Sequence, residues 1–200
     1  VSVKVEEVQK DRFPQMHLDI LPPFYNNSGY VRVLANSIKE SLKGKTHDHI
    51  LFSYHGVPVS HIKKRDVTKG HCKLDKSCCI TDSPAHEFCY RHQCLEVTNL
   101  VAKELGLKEG SYSSSFQSRL GMDPWMLPFT DKTIEKSAKE GMKNLAVVTP
   151  AFVSDCLETL EEIAMEGKEI FKEAGGQDLI AIPCLNDRDD WVEEMINWIE

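Results

Sequence analysis

The chain has 200 residues, 41% of them hydrophobic and 28% charged, and its formal net charge is −7. This composition is typical of a globular protein with room for one good core. The negative charge argues against nucleic acid as a partner, because phosphate backbones are bound by basic surfaces. No apolar run reaches the length of a membrane span and no secretory signal is present, so we expect a cytoplasmic protein.

The chain begins at Val1 without a methionine, directly in a predicted strand, Val1–Val8. This start indicates a fragment or a processed chain. The other predicted strands are Ile50–Phe52, Ser111–Phe116, Leu145–Val148 and Leu179–Ile182. The predicted helices are Gly29–Leu42, about Pro84 to Gly106, Asp131–Gly141, an acidic helix from Asp155 to about Ala174 with Ser154 or Asp155 as N-cap, and Asp187–Glu200. His61–Gly70 is predicted to be a loop or a short helix.

Helices alternate with short apolar strands along the whole chain, which predicts an α/β fold with a parallel sheet flanked by helices on both faces. In such sheets ligands bind beyond the carboxyl ends of the strands. His55 leaves one predicted strand there, Gln117 and Arg119 leave another, and Asp155 and Glu158 leave a third. The sequence therefore predicts that three loops bring polar side chains to one rim of the sheet.

The acidic helix carries Glu158, Glu162 and Glu166 at intervals of four residues, so the three carboxylates share one helix face. Like charges at this spacing cost a helix about 0.2–0.5 kcal/mol per pair, so helix stability does not explain them. Taken alone, such a column is more often a solvated face. Its place at the rim of the predicted sheet favours a site for a cation or for proton transfer.

His55 stands between a buried strand and Gly56. A histidine held in this way can act as a base near neutral pH or as a metal ligand. The alternative is a histidine that only bonds a loop carbonyl.

Five of the seven cysteines fall between positions 72 and 94. An odd number of cysteines without a secretory signal argues against a disulfide scaffold. The two C-x-x-C pairs of a zinc ribbon are absent, and the irregular spacing favours a [2Fe–2S] cluster with four cysteine ligands. His71, His86 and His92 leave a mixed Cys/His zinc site open, and free buried thiols or disulfides are the alternatives without metal. Cys78 and Cys79 are adjacent, so we expect only one of them to be a ligand.

Three segments, Leu51–Pro58, Ser115–Gly121 with Pro124–Trp125, and Asp155–Ile163, together resemble the ferrochelatases, which insert ferrous iron into a porphyrin. The resemblance runs from about Leu21 to the end of the chain. It implies a fold of two similar domains with the porphyrin between them, of which this chain is the C-terminal part. Residues 1–25 would be the inter-domain entry segment, residues 26–185 the C-terminal chelatase domain, and residues 186–200 a terminal helix that packs on the missing first domain.

The resemblance also implies roles for individual residues. His55 and Glu158 would be catalytic and would hold the ferrous ion, with His55 either accepting a pyrrole proton or binding the metal. Glu162, Glu166 and Asp155 would form a path for iron or protons. The residues expected to line the porphyrin cleft are Ser53, Tyr54, Gln117, Ser118 and Trp125.

The cysteine-rich insert at 71–94 resembles that of bacterial ferrochelatases with a [2Fe–2S] cluster. The expected ligands are Cys72, Cys79, Cys89 and Cys94, with Cys78 as the alternative to Cys79. Protoporphyrin IX and coproporphyrin III are both candidate substrates. Peripheral contact with a membrane and the oligomeric state are left open by the sequence. We expect the chain to be inactive without the first domain. The rival functions are a chelatase for another metal or tetrapyrrole, such as a cobaltochelatase, and a non-catalytic module that binds iron or haem.

Overall fold

The computed structural model describes residues 2–199. Four strands form one sheet in the order β2-β1-β3-β4, and every neighbouring pair is parallel. The predicted α/β fold is therefore confirmed. The strands are β1 (His49–His55), β2 (Tyr112–Gln117), β3 (Asn144–Val148) and β4 (Asp178–Ala181).

Helices cover both faces of the sheet. On one face, α2 (Ser28–Leu42), α5 (Tyr90–Leu105) and α9 (Asp189–Asn197) pack on the larger core. On the other face lie α6 (Thr130–Lys139), a π-helix (Glu162–Gly167) and α8 (Lys168–Glu173). The remaining helical elements are α1 (Ser2–Arg12), α3 (Val59–Arg65), α4 (Lys76–Ile80), a 3₁₀ turn (Pro84–Phe88) and α7 (Leu157–Leu160).

Side chains along β1 alternate between the two cores, as they must on a pleated strand. Ile50, Phe52 and Tyr54 belong to the core under α2 and α5, whereas Leu51 belongs to the core under α6 and α8. The chain order 1-2-3-4 becomes 2-1-3-4 in space, so the direction of progression reverses between β1 and β3. Loops leaving these two strands diverge, which opens a crevice where β1 ends at His55.

The predicted strand Val1–Val8 is wrong for the residues that the structure describes, since Ser2–Arg12 is the helix α1; Val1 itself lies outside the described residues. Val5 and Val8 stand at helical spacing as well, and the following Glu, Gln and Lys residues are good helix formers. Val3 is 69% and Val5 42% exposed, so no buried sheet face selects the extended form here.

The predicted acidic helix is three elements, α7, the π-helix and α8, and its N-cap is Cys156 rather than Ser154 or Asp155. The wide turn is marked by a bond of 2.9 Å from the main-chain N–H of Glu166 to the carbonyl of Glu161, five residues back. Likewise, the predicted helix from Pro84 divides into the 3₁₀ turn and α5, which Gly106 ends in the left-handed conformation.

The last helix, α9, packs on α2 of the same domain. Trp191 is 3% exposed, and Phe24 lies against both Trp191 and Trp198. Glu194 pairs with Arg32 at 3.4 Å and accepts a hydrogen bond of 2.8 Å from Trp198 Nε1. The indoles therefore belong to this domain's own core.

Candidate active site

His55 is the last residue of β1, and its imidazole is anchored by a backbone carbonyl. Nδ1 lies 2.6 Å from the carbonyl oxygen of Gly56. A carbonyl only accepts hydrogen bonds, so Nδ1 carries the proton and the lone pair stays on Nε2. His55 thus bonds a loop carbonyl and, through the same bond, keeps Nε2 available as a base or a ligand.

Two aromatic rings flank the imidazole of His55. Its centroid lies 6.5 Å from that of Trp125 and 6.2 Å from that of Phe152. The indole is fixed by a bond of 2.9 Å from Trp125 Nε1 to the Leu120 carbonyl. A Cβ at Gly56 would come within 3.0 Å of the Gln117 carbonyl and 3.3 Å of the indole, so glycine permits this close approach.

A polar cavity of about 600 Å³ lies against the π-helix. Four carboxylates from α7, the π-helix and the residue between them line it, together with Ser118, Arg119 and Asp131. The four are Glu158, Glu161, Glu162 and Glu166. The structure therefore brings together the three glutamates singled out by the sequence and adds Glu161; we call this space the glutamate cavity.

Glu162 is held in place from the end of β2. Its carboxylate accepts hydrogen bonds from the main-chain N–H of Ser118 at 2.8 Å, from Ser118 Oγ at 2.5 Å and from Gln117 Nε2 at 3.2 Å. Ser118 has φ +64°, which turns both of its donors toward Glu162. Gln117 also donates to the Glu158 carbonyl at 2.7 Å, so β2 fixes the start of the acidic segment.

Glu158 lies within electrostatic range of His55. Its pKa lies below the ordinary value, first because the Cys156 thiol donates to it, then because its own main-chain N–H does, with the nearby His55 imidazole adding to the effect. The carboxylate is therefore ionised at neutral pH. An ionised carboxylate near an imidazole with a free Nε2 can bind a cation or assist a proton transfer.

Arg119 supplies a positive charge to the glutamate cavity, and Asp131 holds it. The guanidinium makes two bonds of 2.8 and 3.0 Å to the carboxylate of Asp131 and lies 4.3 Å from the ring centroid of Phe129. The hydrogen bond from Arg119 lowers the pKa of Asp131. Because this arginine is paired, the glutamates keep a net negative field in the cavity.

Of the sequence-predicted site residues, the glutamate cavity is lined by Glu158, Glu162, Glu166 and Ser118. His55, Gln117 and Trp125 stand at the rim outside it, and Ser53, Tyr54 and Asp155 lie elsewhere. Ser53 is fully buried and donates to Gln117 Oε1 at 2.7 Å, and Tyr54 points into the opposite core, where its hydroxyl lies 2.8 Å from Thr98 Oγ1. Asp155 accepts a bond of 2.7 Å from Asn186 Nδ2 and so ties the loop after β3 to the loop after β4. These residues support the rim from beneath.

A second cavity lies between α3 and α5 and is lined by four thiols, with Asp66, His71, His86 and Arg91 beside them. The thiols are those of Cys72, Cys78, Cys79 and Cys89. We call this space the cysteine cavity. Cys94 does not share it and lies in a neighbouring aromatic cavity with Tyr54 and Tyr90. The structure thus brings both members of the adjacent pair to the same place and leaves out the last cysteine of the expected ligand set.

The three histidines of the insert bind its backbone. His71 Nε2 and His86 Nε2 lie 2.6 and 2.8 Å from the carbonyl oxygen of Cys78, and His92 Nδ1 lies 2.8 Å from that of Cys79. Across residues 2–199, no three His, Cys, Asp or Glu side chains are arranged so that they could hold a metal ion. The described residues therefore do not form the mixed Cys/His zinc site that the sequence left open.

The four thiols fit a [2Fe–2S] cluster in number and kind, because each iron of such a cluster takes two cysteine ligands, and three ligands around one ion are not required. Burial raises the pKa of the Cys79 thiol to about 12, and the Arg91 guanidinium acts against this rise. No cysteine of the described chain is in a disulfide.

Comparison with known proteins decides the family. The family model described as Ferrochelatase matches residues 1–200. The chain belongs to the ferrochelatase family. It is 43% identical over 197 residues to the Ferrochelatase of Opitutus terrae, covering 98% of this chain and 57% of that protein. It is 43% identical over 198 residues to the Ferrochelatase of Pseudomonas syringae pv. tomato and 45% identical over 193 residues to that of Ectopseudomonas mendocina.

This member of the ferrochelatase family spans 56–58% of the length of those three relatives. Among the described residues, no helix is long and apolar enough to cross a bilayer.

The sequence did not identify every contact of the ferrochelatase-family site. It missed Asp131, which holds Arg119, and Tyr90, whose hydroxyl donates to the main-chain carbonyl of His55 at 2.9 Å. Neither contact leaves a periodic signal. Tyr90 follows Cys89 directly, and this adjacency was the one clue that it lies near the insert.

Proposed function

We propose that the chain is the C-terminal part of a ferrochelatase that inserts ferrous iron into protoporphyrin IX or coproporphyrin III. The observation that carries this proposal is His55, with a lone pair on Nε2, within electrostatic range of the ionised Glu158, which lines a cavity of carboxylates. The family membership gives this geometry its substrate class.

Metallation needs two things from the protein: the ion must shed its waters, and two pyrrole protons must leave. Carboxylate oxygens are hard ligands that replace water around a ferrous ion without holding it as firmly as thiolates do. Glu158 has this role, and Glu162 and Glu166 extend the oxygen ligands along the π-helix. His55 Nε2 either accepts a pyrrole proton or becomes a ligand of the entering ion; both need the lone pair that the Gly56 carbonyl keeps on Nε2.

The porphyrin would lie against the rim beside His55. Trp125 and Phe152 flank the imidazole and offer apolar faces to a planar macrocycle. Gln117 and Ser118 orient Glu162 and edge the same rim. Ser53, Tyr54 and Asp155 act in this proposal only by holding the backbone of the rim.

The deciding experiment measures iron insertion by a protein that carries this chain together with the first domain. Insertion of ferrous iron into protoporphyrin IX or coproporphyrin III at the expense of cobalt supports the proposal. Preference for cobalt would favour a chelatase of another specificity, and tight iron or haem binding without turnover would favour a storage module. The present chain alone is expected to be inactive, because one wall of the cleft is missing; metallation by it would contradict that expectation.

We also propose that the cysteine cavity holds a [2Fe–2S] cluster through Cys72, Cys78, Cys79 and Cys89. Bound there, the cluster would supply a one-electron redox centre. This set differs from the one expected from sequence, because both adjacent cysteines line the cavity and Cys94 does not. Acid-labile sulfide and iron in anaerobically purified protein would support the cluster, and zinc without sulfide would refute it.

We propose further that the exposed side of α9 contacts the first domain. The inner side of α9 packs on α2 through Trp191. On its outer side Val192 is 39% exposed and Ile196 is 48% exposed. Val192→Ser would then weaken association with the separately produced first domain, and unchanged association would exclude this contact.

A further inference from the structure

The peptide unit that joins His55 to Gly56 is held at both ends. Its N–H, from Gly56, donates to the Gln117 carbonyl at 2.8 Å. Its carbonyl, from His55, accepts from the Tyr90 hydroxyl at 2.9 Å across 35 positions of sequence. The next carbonyl, that of Gly56, is the one that anchors His55 Nδ1. Tyr90 therefore holds the peptide unit that directly precedes the carbonyl anchoring the imidazole.

The residues on either side of Tyr90 face the cysteine cavity. Cys89 is the N-cap of α5 and contributes one of the four thiols. Arg91 lines the same cavity, where its Nη1 donates to the Asp75 carbonyl at 2.8 Å and lies 3.8 Å from Cys79 Sγ. Three consecutive residues at the start of α5 thus contact two sites. Cys89 and Arg91 line the cysteine cavity, and Tyr90 between them bonds the His55 carbonyl.

We propose that Tyr90 is a positioning residue that couples the cysteine cavity to His55. A change at the thiols moves Cys89 and Arg91, and with them the first turn of α5; the Tyr90 hydroxyl then shifts against the His55 carbonyl and turns the imidazole. The catalytic consequence rests on the proposed function, whereas the structural coupling does not.

The kinetic test combines Tyr90→Phe with Cys89→Ser in the protein that includes the first domain. A hydrogen bond of about 1 kcal/mol corresponds to roughly a fivefold fall in kcat for Tyr90→Phe, with KM for porphyrin unchanged. The double variant should be no slower than the slower single variant, because both changes break the same connection. If the fold-losses of kcat in the two single variants multiply in the double variant, the coupling is refuted. An unchanged kcat in Tyr90→Phe would refute it as well.

Tyr30→Phe is the matched control. Tyr30 is also buried, and its hydroxyl also donates to a backbone carbonyl, that of Pro150, at 2.8 Å. Any loss of kcat in this variant should multiply with that of Cys89→Ser, because Tyr30 makes no bond to His55. If the losses of kcat are equally non-additive when Cys89→Ser is combined with Tyr90→Phe and with Tyr30→Phe, the cause is general destabilisation. That result would count against Tyr90 as the connection.

A second measurement needs no turnover. In protein labelled with ¹⁵N-histidine, the ring signal of His55 is assigned by its loss in His55→Gln. We expect Cys89→Ser to shift this signal when Tyr90 is present and to leave it in place in Tyr90→Phe. An equal shift in both backgrounds refutes the coupling. If the parent protein fails to metallate porphyrin, the proposed function falls, and the histidine signal still decides the role of Tyr90.

Discussion

The glutamate cavity and the cysteine cavity are built in opposite ways. In the glutamate cavity the polar lining atoms are mostly carboxylate oxygens, and side chains from the end of β2 and the start of α6 fix the walls. In the cysteine cavity the lining carries four thiols on short elements, and imidazoles hold the backbone between them. Hard, ionised oxygens suit a cation that must enter and leave, whereas clustered thiols suit a metal centre that stays.

The electrostatics differ in the same direction. Hydrogen bonds keep the pKa of Glu158 below its usual value, so the charge is present before any cation arrives. Burial keeps the pKa of Cys79 above its usual value, so the thiol gives up its proton only when a metal replaces it. At neutral pH the Glu158 carboxylate is therefore ionised and the Cys79 thiol keeps its proton, and variants of each cavity test this contrast.

The largest effect is expected from His55→Ala in the protein that includes the first domain. Loss of a general base or of a metal ligand at this position should lower iron insertion by about 10²–10⁴-fold. The rate is measured from the absorbance of the metallated porphyrin. His61→Ala, an exposed histidine of α3, is the matched control and should retain the parent rate. Full activity in His55→Ala would remove His55 from the mechanism.

Glu158→Gln should lower kcat by about 10²-fold, because the neutral amide cannot attract the ion and cannot take up a proton. Single-turnover metallation at several iron concentrations separates ion capture from the chemical step. Glu169→Gln, on an exposed position of α8, provides the comparison. Equal rates for the two variants would show that the glutamate cavity is only a solvated face.

The cysteine cavity gives the third prediction. Cys78→Ser and Cys79→Ser should each lower iron and acid-labile sulfide content by roughly tenfold, since a cluster missing one ligand is held weakly. Cys94→Ser should retain the parent content, because Cys94 lies in the aromatic cavity. Loss of the cluster in Cys94→Ser with retention in Cys78→Ser would restore the ligand set expected from sequence.

The smallest effect concerns the ion pair of Arg119 and Asp131. Asp131→Asn should cost less than about 1 kcal/mol of unfolding free energy at pH 7, because the pair is partly exposed. The pKa of Asp131 is lowered in the folded protein, so its contribution is present above the ordinary aspartate pKa and is lost as pH falls through the lower folded value. Urea unfolding at pH 7 and in acid measures this difference.

Asp123→Asn, at an exposed position, should be neutral in the same assay. A difference between Asp131→Asn and the parent that persisted at acidic pH, where both side chains are uncharged, would show that packing rather than charge is lost.

Local sequence was sufficient where one pattern dominated. The Gly29–Leu42 stretch carries Val31, Leu34 and Ile38 at helical spacing, and all three are buried in α2. The short apolar runs became parallel strands because only burial on both faces satisfies them. These periodic signals determined the α/β fold and placed His55, Gln117 and Glu158 at one edge of the sheet.

Tertiary structure decided the rest, wherever a residue's partner is far away in sequence. The π-helix follows no 3.6-residue period, and its Glu162 is held by Ser118, 44 positions away. Tyr54 and His55 are neighbours in sequence, yet the pleat sends Tyr54 into the core and leaves His55 at the rim. The spacing of five cysteines predicted a metal centre, and only the packing of α4 against α5 separated Cys94 from the other four. The sequence determines the residue types and the local hydrophobic period. The tertiary structure determines which distant residues contact one another, because such contacts leave no local pattern in the sequence.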